Sequence, residues 1–466
     1  MVFTSTIFLG LFLPLLFATY FLANAAARPY VLLAFSLLFY AWGEPTAVVV
    51  MVALMVANYA LALAIAAAGK RRRLAAAVVA AGVVLDLGAL VCYKYLGFFA
   101  ANLLPALKLC GVTFAVPEIA LPIGISFYVF QIVSYLVDVF RGEVAAQRNP
   151  FKFMLYVSLF PQLIAGPIVR YSTIAADIEN RKADFGNILA GIRRFSVGLA
   201  KKVLIADAMA SMADVIFATE VETIPCAYCW FGALAYTLQI YFDFSGYSDM
   251  AIGLGRMFNF RFLENFDHPY AALSVQEFWR RWHISLSTWF RDYLYIPLGG
   301  NRRGPVRTYA NMFTVFFLCG LWHGAAWNFV VWGVYHGLGL VVERAGLGKL
   351  VKRLPKPLGN LYLLLFVVVG WVLFRAPDLS YALDYLGVMF GGSQVAFRSY
   401  ARSLDFVALD KILLMGVGFV AAYPVFGRLV RPIPEAVRLA FGSVFFVAVY
   451  VLAMTSAYSP FIYFRF

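Results

Sequence analysis

The sequence predicts an all-α polytopic membrane protein. Hydrophobic residues make up 63% of its 466 residues and charged residues only 13%, whereas soluble domains are about half apolar and about one quarter charged. Apolar runs recur from one end of the chain to the other, and no segment between them is long enough for a separate soluble domain. The composition therefore excludes a soluble globular protein and a soluble domain on one anchor. We expect residues 1–466 to form a single integral-membrane domain.

Apolar runs of roughly twenty residues give the predicted membrane helices in chain order. Two runs are unusual, because 30–42 is short and 152–169 is broken by Pro161 and Pro167. Irregular backbone at membrane depth needs a cover of protein or a watery cavity, so we predict re-entrant segments at such places. The predicted runs are 2–25, 30–42, 46–68, 74–99, 119–140, 152–169, 198–218, 227–251, 309–322, 326–343, 358–376, 409–428 and 437–456.

The distribution of basic residues predicts the orientation in the membrane. Lys and Arg number 38 against 24 Asp and Glu, which gives a net charge of +14. Basic loops on the cytoplasmic side explain this excess, so we expect no nucleic-acid partner. With Lys70–Arg73 placed in the cytoplasm, the segments 141–152, 170–202, 344–356 and 428–438 also fall inside. Both chain termini then lie on the outer side.

Polar residues concentrate between residues 256 and 307. Ser274 and Glu277 have the spacing of a capping box, which marks the start of a helix. Aromatic residues and arginines, including Arg280 and Arg281, follow at approximate helical spacing. The segment is typical of one or two amphipathic helices at the cytoplasmic interface. Such helices explain the aromatic and arginine residues better than they explain His283.

His323 is the strongest catalytic candidate among four histidines. Its flanks are apolar enough to lie in the membrane, where an ionisable side chain is costly and therefore indicates a function. Histidine titrates near neutral pH and is the most frequent general base. Gly320 and Gly324 permit a helix break or the close approach of a second backbone. The alternative is a histidine that packs between helices and forms a hydrogen bond there.

The remaining histidines and the cysteines predict structural roles. His336 lies 13 residues after His323, so on one continuous helix the two would be rotated by roughly 220° and would not form a metal pair. We interpret His336 as a residue that packs between helices or supports a site residue, and His268, which precedes a proline, as a structural or interfacial one. Cys226 and Cys229 have redox or zinc spacing, but no second pair supports either function. We expect no metal site.

The sequence also limits the mechanism. It contains no nucleotide-binding glycine motif, and Phe244–Asp249 is the nearest approach to a serine-nucleophile motif but lacks the strand–turn–helix context. A single intramembrane base acting on a bound donor and acceptor fits better. The carboxylates of Asp243 and Asp249 lie in an apolar stretch and need partners. Arg256, Arg280 and Arg281 are the candidates, with equal weight for structural ion pairs and for the lining of a cavity.

The sequence resembles the membrane-bound O-acyltransferase family, and within it the bacterial alginate O-acetyltransferase branch. The resemblance rests on long motifs in the expected order, and they cover most of the chain. The motifs are Leu121–Gln131, Phe160–Tyr171, Gly198–Asp207, Tyr241–Gly255, Asn265–Arg303 and Gly320–Gly337.

The resemblance implies a fold and a set of site residues. The fold would have about eleven transmembrane helices, with re-entrant and interfacial helices, around a central tunnel. Residues 256–343 would carry the catalytic region. His323, in the Trp-His-Gly motif, would be the catalytic residue and His283, in the Trp-His-Ile-Ser motif, a second one. The expected substrate-binding residues are Trp322, Asn328, Arg280 and Arg281. Arg280 and Arg281, with Arg302 and Arg303, are candidates to attract the donor phosphates, and the alternative is that these arginines set the topology and contact lipid headgroups.

The resemblance also implies the reaction and its setting. An acetyl group would pass from a thioester on the cytoplasmic side to an acceptor hydroxyl at the outer side, without a bound cofactor. Acetyl-CoA is the first candidate for the thioester, ahead of other acyl thioesters. Alginate is the first candidate for the exported polysaccharide. A periplasmic acetyltransferase partner would carry the acetyl group to it. The protein would be a multi-pass protein of the bacterial inner membrane, embedded in the lipid bilayer, with both termini periplasmic.

Two alternatives stay open at the level of the sequence. The first is a D-alanyltransferase of the same family, which would take its acyl group from a carrier protein. The second is a transporter for the polysaccharide or its lipid carrier, a different class of protein. The absence of a visible internal repeat and the single Trp-His-Gly motif argue against the transporter.

Overall fold

The computed structural model describes residues 1–109, 117, 119–181, 184–392, 409–425, 427, 432–455 and 461–462. Within these ranges every regular element is a helix, which confirms the predicted all-α class. The α-helices are α1 (Leu13–Leu22), α2 (Arg28–Gly43), α3 (Ala47–Ala68), α4 (Arg72–Leu90), α5 (Leu96–Leu109), α6 (Ile125–Arg141), α7 (Pro150–Ser158), α8 (Phe160–Leu163), α9 (Tyr171–Glu179), α10 (Phe185–Ala200), α11 (Asp207–Phe217), α12 (Cys226–Met257), α13 (Val275–Arg281), α14 (Ile284–Phe290), α15 (Gly304–His323), α16 (Trp327–Val342), α17 (Gly348–Val351), α18 (Lys356–Arg375), α19 (Leu379–Gly387), α20 (Leu409–Ala422) and α21 (Glu435–Thr455).

Three helical segments of the described chain are both long and apolar enough to cross a membrane. They are Ala47–Ala68, Arg72–Leu109 and Lys356–Arg375, and shorter apolar helices occur at Phe8–Leu22 and Val444–Thr455. These helices agree with a polytopic membrane protein. The total of about eleven spans and the central tunnel stay predictions.

One predicted boundary was wrong. The run predicted at 74–99 continues through a π-helical turn, Val91–Tyr95, and the helix extends to Leu109. The segment 170–202, whose cytoplasmic side stays a prediction, contains α9 and α10, which were not among the predicted helices. An amphipathic helix with arginines on one side breaks up the apolar run that marks a span, so a search for continuous runs does not detect it.

The chain divides into two compact units, Met1–Phe195 with Met250–Leu263, and Ser196–Asp249 with Glu264–Phe466. The expectation of one domain over 1–466 stays a prediction. In the first unit the run 152–169 is broken as predicted, since α8 has four residues and 164–170 is not helical. The Tyr156 hydroxyl donates to the Val169 carbonyl at 3.1 Å, and the Phe160 N–H donates to Ser36 Oγ at 3.2 Å. Protein side chains thus cover this irregular backbone.

In the second unit, lysines pair with the buried carboxylates, so the predicted arginine partners were wrong. Lys202 Nζ lies 2.7 Å from carboxylate oxygens of both Asp243 and Asp207, and Lys201 Nζ lies 2.7 Å from Asp249. Helices α10 and α12 pack closely at this point, since a Cβ on Gly246 would lie 2.8 Å from the Gly198 carbonyl oxygen. This close packing brings the short aspartate side chains within reach of the lysines. These aspartates are therefore structural ion pairs.

Candidate active site

The hairpin of α15 and α16 places His323. A Cβ on Gly320 would lie 2.4 Å from the Phe329 carbonyl oxygen, and a Cβ on Gly333 would lie 2.4 Å from the Phe316 carbonyl oxygen. The two helices therefore touch backbone to backbone, as the glycine at 320 predicted. Helix α15 ends at His323 because Gly324 has an extended backbone, with φ −161°. Both the predicted helix break and the predicted close approach are confirmed.

His323 is buried in an aromatic shell. Its ring centroid lies 4.9 Å from Trp322, 5.0 Å from Trp332 and 5.2 Å from Phe374, and the residue is 4% exposed. Such a shell excludes water from the ring and strengthens electrostatic interactions within the site. Among these four side chains, the imidazole is the one that can act as a general base.

His283 lies between the short helices α13 and α14, outside the apolar spans. Its backbone is left-handed, with φ 44°, and the residue is fully buried. Its Nδ1 atom lies 3.2 Å from Asn265 Oδ1, and its ring packs edge-on against Phe244 at 4.7 Å. Burial lowers the pKa of His283 to about 3, because desolvation penalises the charged form. The imidazole is therefore neutral at physiological pH.

Trp322 connects the two predicted catalytic histidines. The centroid of its ring system lies 6.2 Å from that of His283 and 4.9 Å from that of His323. Residues that are 40 apart in the sequence thus contact one side chain, which is itself buried. Of the predicted site residues, these three are brought together most closely.

The predicted arginines have different surroundings. Arg281 forms an ion pair with Glu277 at 2.7 Å. The Glu277 N–H donates to Ser274 Oγ, as the predicted cap requires, but the Glu277 carboxylate accepts from the N–H of Leu273 and not from that of Ser274. The predicted helix start is thus present with one of the two capping-box bonds, and Arg281 is part of that helix. Arg280 is exposed and lines a cavity.

This cavity has a volume of about 340 Å³, and three exposed arginines line it: Arg280, Arg291 and Arg344. Arg291 also forms an ion pair with the neighbouring Asp292 at 2.6 Å. Glu343 accepts hydrogen bonds from the first backbone N–H groups of α13. These bonds hold Glu343, and with it the neighbouring Arg344, beside that helix. The rest of the lining is mostly apolar and includes Trp279, Leu286, Phe290, Phe316, Cys319 and Leu340.

Two residues of the apolar wall are close in the chain to the two histidines. Cys319 lies one helical turn before His323 on α15, and Leu286 follows His283 by three residues on α14. Arg302 lines a second cavity, of about 300 Å³, together with Arg291.

Asn328 has one structural contact and one open polar atom. Its Nδ2 donates to the Ala376 carbonyl at 2.9 Å. Its Oδ1 is buried and accepts no hydrogen bond from any residue that the structure describes. A buried carbonyl oxygen of this kind is costly unless another group bonds to it. The bond to Ala376 therefore fixes Asn328 at the start of α16, and its Oδ1 can accept a hydrogen bond there.

The other histidines have the predicted structural contacts. Trp279 Nε1 donates to His336 Nδ1 at 3.3 Å, and His268 Nδ1 lies 3.2 Å from the Ala422 carbonyl oxygen. The assumption that His323 and His336 share one helix was wrong, because the chain turns at Gly324. Both rings instead contact Trp332, at 5.0 and 4.8 Å. The described residues contain no group of His, Cys, Asp and Glu suited to a metal ion.

Sequence reasoning missed three residues of this site. Arg291 and Arg344 line the cavity, but Arg344 was assigned to a basic loop and Arg291 to an interfacial stripe. Asn265 contacts His283, and no feature of its local sequence signals that contact. Only the spatial meeting of distant segments identifies them.

Comparison with known proteins gives a consistent family. The model of the MBOAT, membrane-bound O-acyltransferase, family matches residues 139–383. A protein of Pseudomonas putida named "Probable alginate O-acetylase" is 42% identical over the full length of both chains. A peptidoglycan O-acetyltransferase of Helicobacter pylori is 38% identical over 84% of this chain and 80% of its own. A teichoic acid D-alanyltransferase of Streptococcus thermophilus is 28% identical over 49% of this chain and 58% of its own.

Proposed function

Because this chain belongs to the membrane-bound O-acyltransferase family and is an acyltransferase of the membrane, we propose that it takes an acetyl group from acetyl-CoA for the O-acetylation of an exported polysaccharide. Two of the similar proteins are named for acetyl transfer to alginate or peptidoglycan, and they match most of this chain. The D-alanyltransferase matches about half of it at lower identity. Acetyl is therefore the proposed group, and alginate the first polymer to test.

The observation that carries the proposal is the arginine-lined cavity beside the histidine pair. The phosphates of acetyl-CoA suit Arg280, Arg291 and Arg344, because guanidinium groups bind phosphate with paired hydrogen bonds. The pantetheine arm suits the apolar wall that runs to Cys319, one turn from His323. Positive charge at a mouth and an apolar interior are the two features that this donor requires.

We assign the proton transfer to His323. An imidazole nitrogen of His323 takes the proton of the acceptor hydroxyl while the hydroxyl oxygen attacks the thioester carbonyl carbon. The tetrahedral intermediate then collapses, the carbon–sulfur bond breaks, and the thiolate receives the proton from the imidazolium. The products are the acetyl ester and free CoA. Holding both substrates beside the imidazole removes much of the entropic barrier.

Other residues hold the reactants. The neutral imidazole of His283 orients the donor by accepting a hydrogen bond from it, Trp322 separates the two imidazoles, and Asn328 is held beside the site by its bond to the Ala376 carbonyl. The acceptor reaches the site from the outer side, where a periplasmic acetyltransferase partner carries the group to the polymer. The protein lies in the bacterial inner membrane with both termini periplasmic, as the positive-inside rule predicts.

The polysaccharide itself tests the proposed function. We expect deletion of the gene to remove O-acetyl groups from the exported polysaccharide, and we expect the intact chain to restore them, measured as acetyl per sugar residue. Unchanged acetyl content in the deletion strain overturns the proposal. Loss of export together with acetylation points instead to transport.

The arginines provide a separate test of the donor. We expect the double variant Arg280→Gln/Arg344→Gln to weaken acetyl-CoA binding about tenfold or more, because each lost charge-assisted hydrogen bond to phosphate costs about 1 kcal/mol or more at an exposed site. Binding is measured by calorimetry on the purified chain, at low and high salt, since the attraction is screened by salt.

Acetyl-pantetheine, which lacks the phosphates, is the ligand control and should bind the double variant and the intact chain equally. Lys349→Gln is the matched protein control, because Lys349 lies in the same basic segment but does not line the cavity. If the double variant binds acetyl-CoA as tightly as the intact chain does, the phosphate site is elsewhere.

A further inference from the structure

Asn265 is a polar side chain beside the site with four close polar neighbours. It is fully buried, and its Oδ1 accepts from the Ser285 backbone N–H at 3.1 Å and from Ser285 Oγ at 2.9 Å. Its Nδ2 donates to Ser248 Oγ at 3.1 Å. The third neighbour of Oδ1 is His283 Nδ1, at 3.2 Å. Buried amides with several hydrogen bonds fix the position of the groups around them.

These bonds determine the tautomer of His283. A backbone N–H can only donate, so the bond from Ser285 identifies Oδ1 as the carbonyl oxygen of Asn265. A carbonyl oxygen can only accept, so His283 Nδ1 must carry a hydrogen. A neutral imidazole has one such hydrogen, and the lone pair therefore lies on Nε2.

Asn265 also holds the backbone on which His283 is placed. His283 has φ 44°, a left-handed conformation that is uncommon for residues other than glycine. The Ile284 N–H donates to the Asn265 carbonyl at 3.0 Å, and the Asp267 N–H donates to the Arg281 carbonyl at 3.0 Å. Two backbone bonds and one side chain thus hold the turn, and such strain persists only where the surroundings impose it.

We propose that Asn265 is a positioning residue for the transfer reaction: it holds His283 in the tautomer with the lone pair on Nε2 and aims that atom into the site. The inference rests on the proposed function, since Asn265 acts through His283 alone. Its role differs from that of Ser248, which bonds only to the amino side of the Asn265 amide.

A double-mutant cycle tests this inference. We expect Asn265→Leu, which keeps the size but removes the acceptor, to lower the rate of polysaccharide O-acetylation at least about tenfold, as is typical for loss of a group that orients a functional histidine. In a His283→Ala background the same change should cause no further loss, because its effect passes through the imidazole. Rates are measured in the complemented deletion strain and divided by the amount of the chain in the membrane.

Two further variants complete the experiment. Asn265→Asp keeps an acceptor oxygen and should retain more activity than Asn265→Leu, and Ser248→Ala should stay within severalfold of the intact chain. If Asn265→Leu does not accumulate, Asn265→Ser replaces it in the cycle, since its shorter side chain withdraws the acceptor from Nδ1.

The outcomes separate this inference from the proposed function. Equal losses with and without His283 mean that Asn265 acts on the fold, and they overturn the inference alone. Full activity of His283→Ala also overturns the inference, while acetylation that needs the chain and His323 leaves the proposed function standing. Acetylation that does not need the chain overturns both.

Discussion

His323→Ala is expected to reduce O-acetylation of the exported polysaccharide by about 10²- to 10⁴-fold, the range for loss of a general acid–base group. The ring of His323 is enclosed by Trp322, Trp332 and Phe374, none of which can accept a proton near neutral pH. The deletion strain is complemented with the variant at a matched membrane level, and acetyl per sugar residue is measured over time.

His336→Gln is the matched control for that experiment. His336 is also buried and also contacts Trp332, but its Nδ1 accepts from Trp279 Nε1 in a packing role. Glutamine can keep that acceptor, so acetylation should stay within severalfold of the intact chain. Full activity of His323→Ala would refute the assignment of the base and would turn attention to His283.

The helix ends explain why His323, and not His283, suits the role of base. His323 is the last residue of the 20-residue helix α15, where the partial negative charge of the helix carboxyl end stabilises positive charge that develops on the ring. His283 precedes the first residue of α14, where the partial positive charge of the helix amino end has the opposite effect. Its buried, neutral state agrees with a binding and orienting role.

Local signals were sufficient to predict the all-α class and the helix break beside His323. Long apolar runs, a helix cap at Ser274 and glycines beside His323 are properties of neighbouring residues, and the structure bears each of them out. The catalytic roles of His323 and His283 stay predictions. The turn at Gly324 was predicted as one option, but the lack of a proline left open a continuous helix to His336. The contact of both rings with Trp332 followed only from the hairpin.

Long-range pairing could not be predicted in the same way. Arg256, Arg280 and Arg281 were equally reasonable partners for Asp243 and Asp249 by charge, and the choice of lysines depends on how closely α10 approaches α12. The cavity arginines come from three separate segments, after or within α13, α14 and α16. The sequence shows that these residues are charged, but it does not show that the three arginines lie around one cavity.

The glycine contact between α15 and α16 should be as important for activity as the imidazole that it positions. In Gly320→Ala the new Cβ would lie 2.4 Å from the Phe329 carbonyl oxygen and 3.0 Å from Gly333 Cα, against an ordinary contact of 3.4 Å or more. Both neighbours are backbone atoms, so the helices must separate by about 1 Å near His323. A displacement of about 1 Å at a reacting group costs about 10²-fold in rate, and the strain costs about 1–3 kcal/mol of stability.

Gly416→Ala is the matched control, because it is the same substitution inside α20 and nothing lies within 4 Å of its Cβ. We expect that variant to keep its activity and thermal unfolding midpoint. For Gly320→Ala, acetylation rate and unfolding midpoint are measured together at equal membrane level. A normal rate would mean that the site tolerates separation of the helices. A low rate with a nearly unchanged unfolding midpoint would show that the glycine acts chiefly by placing His323. Loss of about 1–3 kcal/mol of stability leaves most of a large membrane protein folded, so unfolding alone would not explain a low rate.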